Sequence, residues 1–162
     1  MPAEPFFYRS PAGPMLLRFD GEVLIGVDFD DRLPDPPPFA ELPAGPHRCW
    51  LDDYFAGRDP GALPPHDMGG SDFQQRVWKA MLEIPRGRTL SYGEVARRIG
   101  SAPRAVGQAC RRNHLPVFIP CHRIVAAGSI GGYSGATGGH KLDRKIWLLR
   151  HEGVPLESFS TS

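Results

Sequence analysis

The segment VFIPCHRIVAAG, residues 117–128, places a cysteine and a histidine side by side in an otherwise apolar stretch. A thiol attacks only as the thiolate, and a free thiol is mostly protonated at neutral pH, so Cys121 needs a base. The imidazole of His122 can take that proton directly or through a water. A carboxylate that orients the imidazole would complete the arrangement, and Glu152 is one candidate among several acidic residues. The alternative is a buried, inert cysteine, the more common fate of a lone thiol.

The cysteine pattern gives little support to a disulfide framework or a metal site. Cys49, Cys110 and Cys121 are an odd number at wide spacings, and no CxxC pair occurs. Structural zinc usually takes four ligands, which this pattern does not supply. We therefore expect free thiols in a reducing compartment and no metal. We also expect that the protein requires no cofactor. No stretch approaches the roughly 18 apolar residues of a membrane span. The N-terminus lacks the pattern of a secretory signal, so we expect a cytoplasmic protein that binds no membrane.

Charge is distributed unevenly along the 162 residues, although the net charge is only +1. Residues 1–70 carry 5 basic and 12 acidic residues, a balance of −7. Residues 71–125 carry 10 basic and 3 acidic residues, a balance of +7. A basic middle segment in a nearly neutral protein indicates a local surface that binds a polyanion. The alternative is an ordinary solvated helix surface.

The first part of the chain is predicted to begin with sheet. Residues 5–33 alternate apolar and polar side chains, and Asp20-Gly21 is typical of a tight hairpin turn. Six prolines in residues 34–47 predict a loop, because proline fits neither a helix interior nor a central strand. The segment CWLDDYFAG that follows predicts a helix ending at Gly57.

A stretch rich in Gly, Pro and Asp, residues 57–70, is the best interdomain linker in the sequence. We therefore predict an N-terminal α/β domain at residues 1–70 and a C-terminal domain at residues 71–155. The last residues, 156–162, are predicted to form a flexible tail.

The C-terminal domain carries the sequence outline of a helix-turn-helix. After a first helix capped by Ser71 and Gln74, a second capping box at Ser91 and Glu94 opens a helix that ends at Gly100. A further short helix follows after a tight turn, with Ser101 as its expected N-cap and Pro103 in its first turn. Three small residues thin this last helix, namely Ala105, Gly107 and Ala109. They would let its backbone approach another surface closely, and ordinary helix packing is the alternative.

Several motifs occur in an order that resembles one family, the O6-alkylguanine-DNA alkyltransferases, or methylated-DNA–protein-cysteine methyltransferases. They are FQQRVW, RAVGQACRRN, IPCHRIV, GGYSG and LLRHEG, which together span residues 73–153. The resemblance implies a two-domain α/β (α+β) fold. It pairs a ribonuclease H-like N-terminal α/β domain with a helical C-terminal domain of the winged-helix or helix-turn-helix kind.

The resemblance also implies a reaction and its residues. Cys121 would take the alkyl group from O6 of guanine, irreversibly and once per protein molecule, with O4-alkylthymine as a further possible substrate. His122 would be the water-linked base and Glu152 would complete the proton network. Asn113 would brace the turn before the cysteine, and Tyr133 would supply the hydroxyl that protonates the departing guanine. The substrate pocket would include Pro116, Val125, Ser134 and Gly135.

Double-stranded DNA containing alkylated bases is the implied partner, bound by a monomer. By the resemblance, Arg104 would insert into the base stack after the nucleotide is rotated out, and Tyr92 would turn the phosphate backbone. The remaining implied DNA-binding residues are Ser91, at the start of the preceding helix, and Ala105, Gly107 and Arg111, on a recognition helix that enters the minor groove. Arg86 and Arg112 depart from the family pattern, and we expect them to add nonspecific affinity for DNA.

Three other functions fit part of these observations. A relative that only recognises the alkylated base would lack the acceptor cysteine, which is present here. A helix-turn-helix regulator would bind a particular DNA sequence and leave the thiol idle. A cysteine hydrolase using Cys121 and His122 would turn over, whereas the alkyl transfer consumes the protein.

Overall fold

The strands and helices of the protein follow the alternation and capping signals of its sequence. The computed structural model describes residues 4–127, 129 and 140–156. Over these residues the regular elements are, in chain order, β1 (Phe6–Ser10), β2 (Gly13–Asp20), β3 (Val23–Phe29), α1 (Pro46–Phe55), α2 (Asp72–Leu82), β4 (Leu90–Ser91), α3 (Tyr92–Ile99), α4 (Pro103–Arg111), a 3₁₀ turn (Cys121–Arg123), β5 (Ile124–Val125) and α5 (His140–His151). The chain divides into two compact units, Met1–Gly69 and Gly70–Ser162.

The first unit is a three-stranded antiparallel sheet with one helix. The strand order is β1-β2-β3, and the hairpin predicted around Asp20-Gly21 is confirmed, with Asp20 opposite Val23. Gly21 adopts a φ of 60°, the left-handed conformation that a tight turn requires. The helix α1 begins at Pro46, earlier than predicted, because proline is well tolerated at the first helical position. Its C-terminal side ends as predicted, with Gly57 at a φ of 83°.

The second unit contains the helix-turn-helix and the cysteine segment. Both predicted capping boxes are confirmed, at Ser71 with Gln74 and at Ser91 with Glu94. Gly100 ends α3 in the left-handed conformation, with φ 69° and ψ 44°. The short strands β4 and β5 pair in parallel and bring the start of α3 next to the residues that follow the cysteine.

The expected N-cap of α4 is wrong. Ala102 occupies that position, and no side chain caps the helix. The backbone N–H of Ser101 instead donates to the carbonyl of Ala96, 2.8 Å away. Ser101 therefore completes the end of α3, and the proline at the start of α4 removes one of the N–H groups that a cap would have to satisfy.

The three small residues of α4 do not share one surface. Ala109 is buried, and its carbonyl accepts a hydrogen bond of 2.9 Å from the indole of Trp78 on α2. Gly107 lies on another side, where a Cβ atom would be 3.9 Å from the ring of Tyr92. Residues two apart on a helix point about 200° away from each other, so only Ala105 and Ala109 lie on the same side.

Candidate functional site

Cys121 reaches its position through a tight backbone turn. Pro120 has φ −82° and ψ 67°, the conformation of an inverse γ-turn, and the N–H of Cys121 donates to the carbonyl of Ile119 at 2.8 Å. The chain then forms the single 3₁₀ turn that carries Cys121 and His122. Only 6% of Cys121 is exposed, so the thiol is almost enclosed by protein.

Asn113 ties the end of the helix-turn-helix to this turn. Its side-chain Nδ2 donates to the carbonyl of Ile119 at 2.9 Å, and its Oδ1 accepts from the N–H of Leu115 at 2.9 Å. The carbonyl of Ile119 therefore receives hydrogen bonds from both Asn113 and Cys121. Between them, buried Val117 adopts a φ of 76°, a conformation that β-branched residues rarely take. The loop is thus held in one particular path to the thiol.

His122, the residue after the cysteine, belongs to a buried cluster with Glu152 and Arg123, in which Arg123 and Glu152 form the ion pair. Nε2 of His122 lies 2.6 Å from Oε2 of Glu152. The guanidinium of Arg123 donates to both oxygens of Glu152, at 2.8 and 3.2 Å, and to the carbonyl of Ile84 at 2.6 Å. Burial alone would raise the pKa of Glu152, but the charges and hydrogen bonds of His122 and Arg123 outweigh it and hold that pKa well below its usual value of 4.5. Glu152 is therefore a carboxylate at neutral pH.

The hydrogen bond between His122 and Glu152 determines which nitrogen of the imidazole can act as the base. Burial lowers the pKa of His122 below 6.5, against the opposing effect of Glu152, so the imidazole is neutral at pH 7. Because the carboxylate can only accept a hydrogen bond, Nε2 carries the proton and its N–H donates a hydrogen bond to Glu152. Nδ1 is then an acceptor, and it has no hydrogen-bond partner among the residues that the structure describes. A neutral imidazole with a free acceptor nitrogen suits proton removal from an adjacent thiol.

A buried lysine near the thiol was missed in the sequence. Nζ of Lys145, on α5, donates to the carbonyl of Ile124 at 2.7 Å, and the side chain is fully buried. Burial lowers the pKa of Lys145 to about 8, and the charges of Cys121 and Cys110 oppose that shift. By the same interaction, the ammonium favours the thiolate of Cys121. The sequence does contain a signal that could have found this lysine. Lys145 stands three and four positions before the buried Leu148 and Leu149, so a charged residue lies on the apolar face of α5.

The other two thiols are poorly suited to be the acceptor. Cys49 is exposed and belongs to the first unit. Cys110, on α4, is half-buried, and burial raises the pKa of its thiol well above its usual range. Its charge interaction with Cys121 raises the pKa further, which keeps Cys110 protonated at neutral pH. Of the three, Cys121 is the thiol with a base in the adjacent position.

Ser91 and Tyr92 stand at the junction of β4 and α3. The hydroxyl of Ser91 accepts from the N–H of Glu94 at 3.1 Å, so this side chain is engaged as a helix cap. Tyr92 is half-buried, and burial raises its pKa to about 12, with the thiols of Cys110 and Cys121 adding to the shift. The structure therefore brings the Tyr92 phenol, still protonated at neutral pH, within electrostatic reach of Cys121.

The predicted DNA-binding residues of α4 lie on different parts of its surface. Arg104, in the first turn, and Arg111, in the last, are exposed, whereas Ala105 is half-buried. An open groove of about 640 Å³ lies between α4 and the start of α2. It is lined by Ser71, Phe73, Gln74, Ala105, Gln108, Ala109, Arg111 and Arg112.

The predicted pocket residues are only partly described. Pro116 is half-buried and bridges to Ile119 through the backbone, and Val125 is buried in β5 opposite Ser91. Tyr133, Ser134 and Gly135 lie outside the described residues, as does nearly all of the predicted tail. Among the residues described, no group of three His, Cys, Asp or Glu side chains is placed to hold a metal ion.

Arg86, one of the two arginines expected to add affinity for DNA, makes a hydrogen bond within the protein. It is half-buried, and its guanidinium donates to the carbonyl of His151 at 3.2 Å, at the end of α5. Arg112, in contrast, is exposed just after α4. The partner that engages Arg86 lies 65 residues away along the chain, and added affinity for DNA stays a prediction for both arginines.

Comparison with known proteins decides the family. The family model for the DNA-binding domain of 6-O-methylguanine DNA methyltransferase matches residues 72–154. The chain belongs to this family. A methylated-DNA–protein-cysteine methyltransferase of Mycobacterium leprae is 41% identical to it over 150 residues, 88% of each chain. The resemblance inferred from the sequence motifs is confirmed.

Solved alkyltransferase structures agree with this assignment. The crystal structure of the Mycobacterium tuberculosis O6-methylguanine methyltransferase matches with a TM-score of 0.76 and 37% identity, covering 92% of each chain. The structure of M. tuberculosis OGT in complex with DNA matches with a TM-score of 0.75 and 36% identity, covering 93% of this chain and 92% of that one. The predicted two-domain α/β fold class is thereby confirmed. No helix in the described part of the alkyltransferase chain is long and apolar enough to cross a membrane.

Proposed function

We propose that the protein repairs alkylated DNA by transferring the alkyl group from O6 of guanine to Sγ of its own Cys121. The observation that carries this proposal is the buried series Cys121, His122 and Glu152, held at the end of a helix-turn-helix. Membership of the methylated-DNA–protein-cysteine methyltransferase family supports the same reaction. The protein is a transferase that acts once, because a thioether cannot release its alkyl group by simple hydrolysis.

The bonds and protons of the transfer can be assigned to named atoms. Nδ1 of His122 takes the thiol proton, directly or through a water, and the Lys145 ammonium favours the resulting thiolate. Sγ attacks the alkyl carbon, the S–C bond forms and the bond from carbon to O6 breaks. The electron pair leaves on guanine, which takes up one proton, so the base is restored. Tyr133, as implied by the family, and Tyr92, whose phenol is protonated at neutral pH, are the candidate donors.

Access to O6 requires the nucleotide to leave the base stack, which costs a few kcal/mol. We assign this step to the helix-turn-helix, with exposed Arg104 at the start of α4 filling the space left in the duplex. Tyr92, at the start of α3, would press on the phosphate backbone of the DNA at the rotated nucleotide. The excess of basic residues in 71–125 supplies attraction to phosphates that does not depend on sequence, as a search for damage requires.

The substrate and the free thiols together support action in the cytoplasm, where a reducing environment keeps Cys121 available. We also propose that the protein acts as a monomer and needs no cofactor, since the transfer balances with the thiol of the protein and the alkylated base alone.

Restoration of guanine is the test of this function. A duplex with one O6-methylguanine inside a restriction site blocked by the lesion is mixed with increasing amounts of protein. We expect one site to become cleavable for each protein molecule added, and none with the Cys121→Ala variant. Continued repair by a small amount of protein would refute single use. Tight binding with no restored sites would identify a recognition protein instead.

A further inference from the structure

The connection between α2 and β4, residues 83–89, wraps around the end of α5. The guanidinium of Arg86 donates to the carbonyl of His151, the last residue of α5, at 3.2 Å. Gly87 adopts a φ of 83°, and a Cβ atom there would lie 3.2 Å from the carbonyl oxygen of Glu152. Two residues before Arg86, the carbonyl of Ile84 accepts a hydrogen bond from Arg123, which in turn donates to Glu152. The connection therefore approaches the end of α5 directly at His151 and Glu152, and it reaches the Glu152 carboxylate a second time through Arg123.

These contacts act on the backbone from which the Glu152 carboxylate projects. The last carbonyls of a helix have no partner within the helix, and an arginine there satisfies one of them and interacts favourably with the helix dipole. His151 is adjacent to Glu152, so the hydrogen bond from Arg86 fixes the peptide group immediately before Glu152. Glu152 must in turn place Oε2 2.6 Å from Nε2 of His122. A shift of the helix end would lengthen that contact directly.

We propose that Arg86 is a positioning residue for the transfer, which holds Glu152 and through it the His122 base. The proposal rests on the transfer function given above. The sequence predicts a different role for Arg86, in which its charge adds nonspecific affinity for DNA. The two roles predict different kinetics. A positioning residue changes the rate of transfer on saturating DNA, whereas a phosphate contact changes the affinity for DNA and its dependence on salt.

The experiment measures single-turnover transfer from a duplex with one O6-methylguanine, together with DNA affinity at several salt concentrations. The variants are Arg86→Ala and Arg86→Gln, with Arg88→Ala as the matched control. Arg88 lies in the same connection and is exposed, and its backbone N–H bonds to the carbonyl of Pro85. Arg88→Ala removes the same charge from the same segment without touching α5.

For Arg86→Ala we expect the transfer rate on saturating DNA to fall roughly 10-fold, since a misplacement of about 1 Å can cost as much as roughly 100-fold. The salt dependence of DNA binding should stay equal to that of Arg88→Ala. Arg86→Gln keeps a side-chain donor but no charge, and it should recover most of the lost rate. It also keeps the test decisive if Arg86→Ala fails to fold. The rate at which iodoacetamide labels Cys121 should fall in parallel without DNA, and its pH dependence should move towards that of an ordinary thiol.

Two results would overturn this role. One is an unchanged transfer rate in Arg86→Ala. The other is weaker DNA binding with a salt slope reduced by about one relative to Arg88→Ala, which is the signature of a lost phosphate contact. Failure of the transfer function itself looks different, because the wild-type protein would then transfer no methyl group, while the iodoacetamide comparison would still report on Arg86.

Discussion

Lys145 offers a prediction that joins stability to reactivity. Its side chain is fully buried, and its pKa falls from 10.5 to about 8. A lysine whose pKa is lowered in the folded state binds fewer protons there than in the unfolded state between these two values, so stability rises with pH in that interval. The shift corresponds to about 3 kcal/mol at pH values below 8, at 1.36 kcal/mol for each pKa unit. The ammonium thus destabilises the fold at neutral pH.

The variant to be measured is Lys145→Met, in which the side chain keeps its length and apolar stem but loses its charge. It also leaves the carbonyl of Ile124 without its 2.7 Å donor, at a cost of roughly 1–3 kcal/mol. At pH 7 these effects largely cancel, and the variant should be as stable as the wild type or slightly more stable. Between pH 7 and pH 10 the wild type should gain roughly 2 to 3 kcal/mol relative to the variant, as its lysine deprotonates in the folded state.

Urea unfolding of both proteins at a series of pH values measures this difference, and other titrating groups cancel in the comparison. The same variant should transfer its methyl group more slowly at pH 7, because the cation that favours the Cys121 thiolate is gone. A difference in the free energy of unfolding that stays constant from pH 7 to pH 10 would refute the assignment of a lowered pKa. An undiminished transfer rate would refute the link between Lys145 and the thiolate.

Three further predictions concern other parts of the site. Glu152→Gln should lose about 3 kcal/mol of stability at neutral pH, because a buried ion pair loses one partner. In the wild type that contribution is present above about pH 4.5 and is lost as the pH falls through the lowered pKa of Glu152, so unfolding curves of the two proteins should converge in acid. Asn113→Ala should cost roughly 2 kcal/mol in urea unfolding, since it removes two hydrogen bonds from the loop before Cys121, and should slow transfer as well. Arg112→Ala should leave stability within about 0.5 kcal/mol of the wild type and reduce the salt slope of DNA binding by about one in a titration series. If Arg112→Ala binds DNA with the same salt slope as the wild type, Arg112 does not contact DNA.

Local signals in the sequence were enough to predict much of the fold. The capping boxes at Ser71 and Ser91 and the glycine at position 100 each depend on residues a few positions apart, and the structure has them where the sequence indicates. The same locality explains the mistake at Ser101, where two helix ends compete for one short turn and the end of α3 takes the residue. The composition also located the basic excess in residues 71–125, although it could not show which of these arginines have side-chain partners within the protein.

Contacts between residues far apart in the sequence could not be predicted from local sequence patterns. The Arg86 side chain donates a hydrogen bond to the carbonyl of His151, 65 residues away in the sequence. The Lys145 ammonium donates to the carbonyl of Ile124, 21 residues away. Glu152 was one carboxylate among several until the structure brought it 2.6 Å from His122, 30 residues earlier. Motif resemblance bridged this gap for Glu152 because the family carries the pairing with it. It offered nothing for Arg86, which departs from the family pattern, and physical pattern alone left it as a surface charge.

The most direct test of the whole account is mass spectrometry of the protein after reaction with a duplex that contains a single O6-methylguanine. We expect one added methyl group per molecule, on the peptide that contains Cys121, with none on the Cys49 or Cys110 peptides and none in Cys121→Ala. A methyl group on another cysteine, or no adduct despite tight binding to the lesion, would contradict it. In that case the assignment of His122 and Glu152 to activation of the Cys121 thiol would have to be withdrawn.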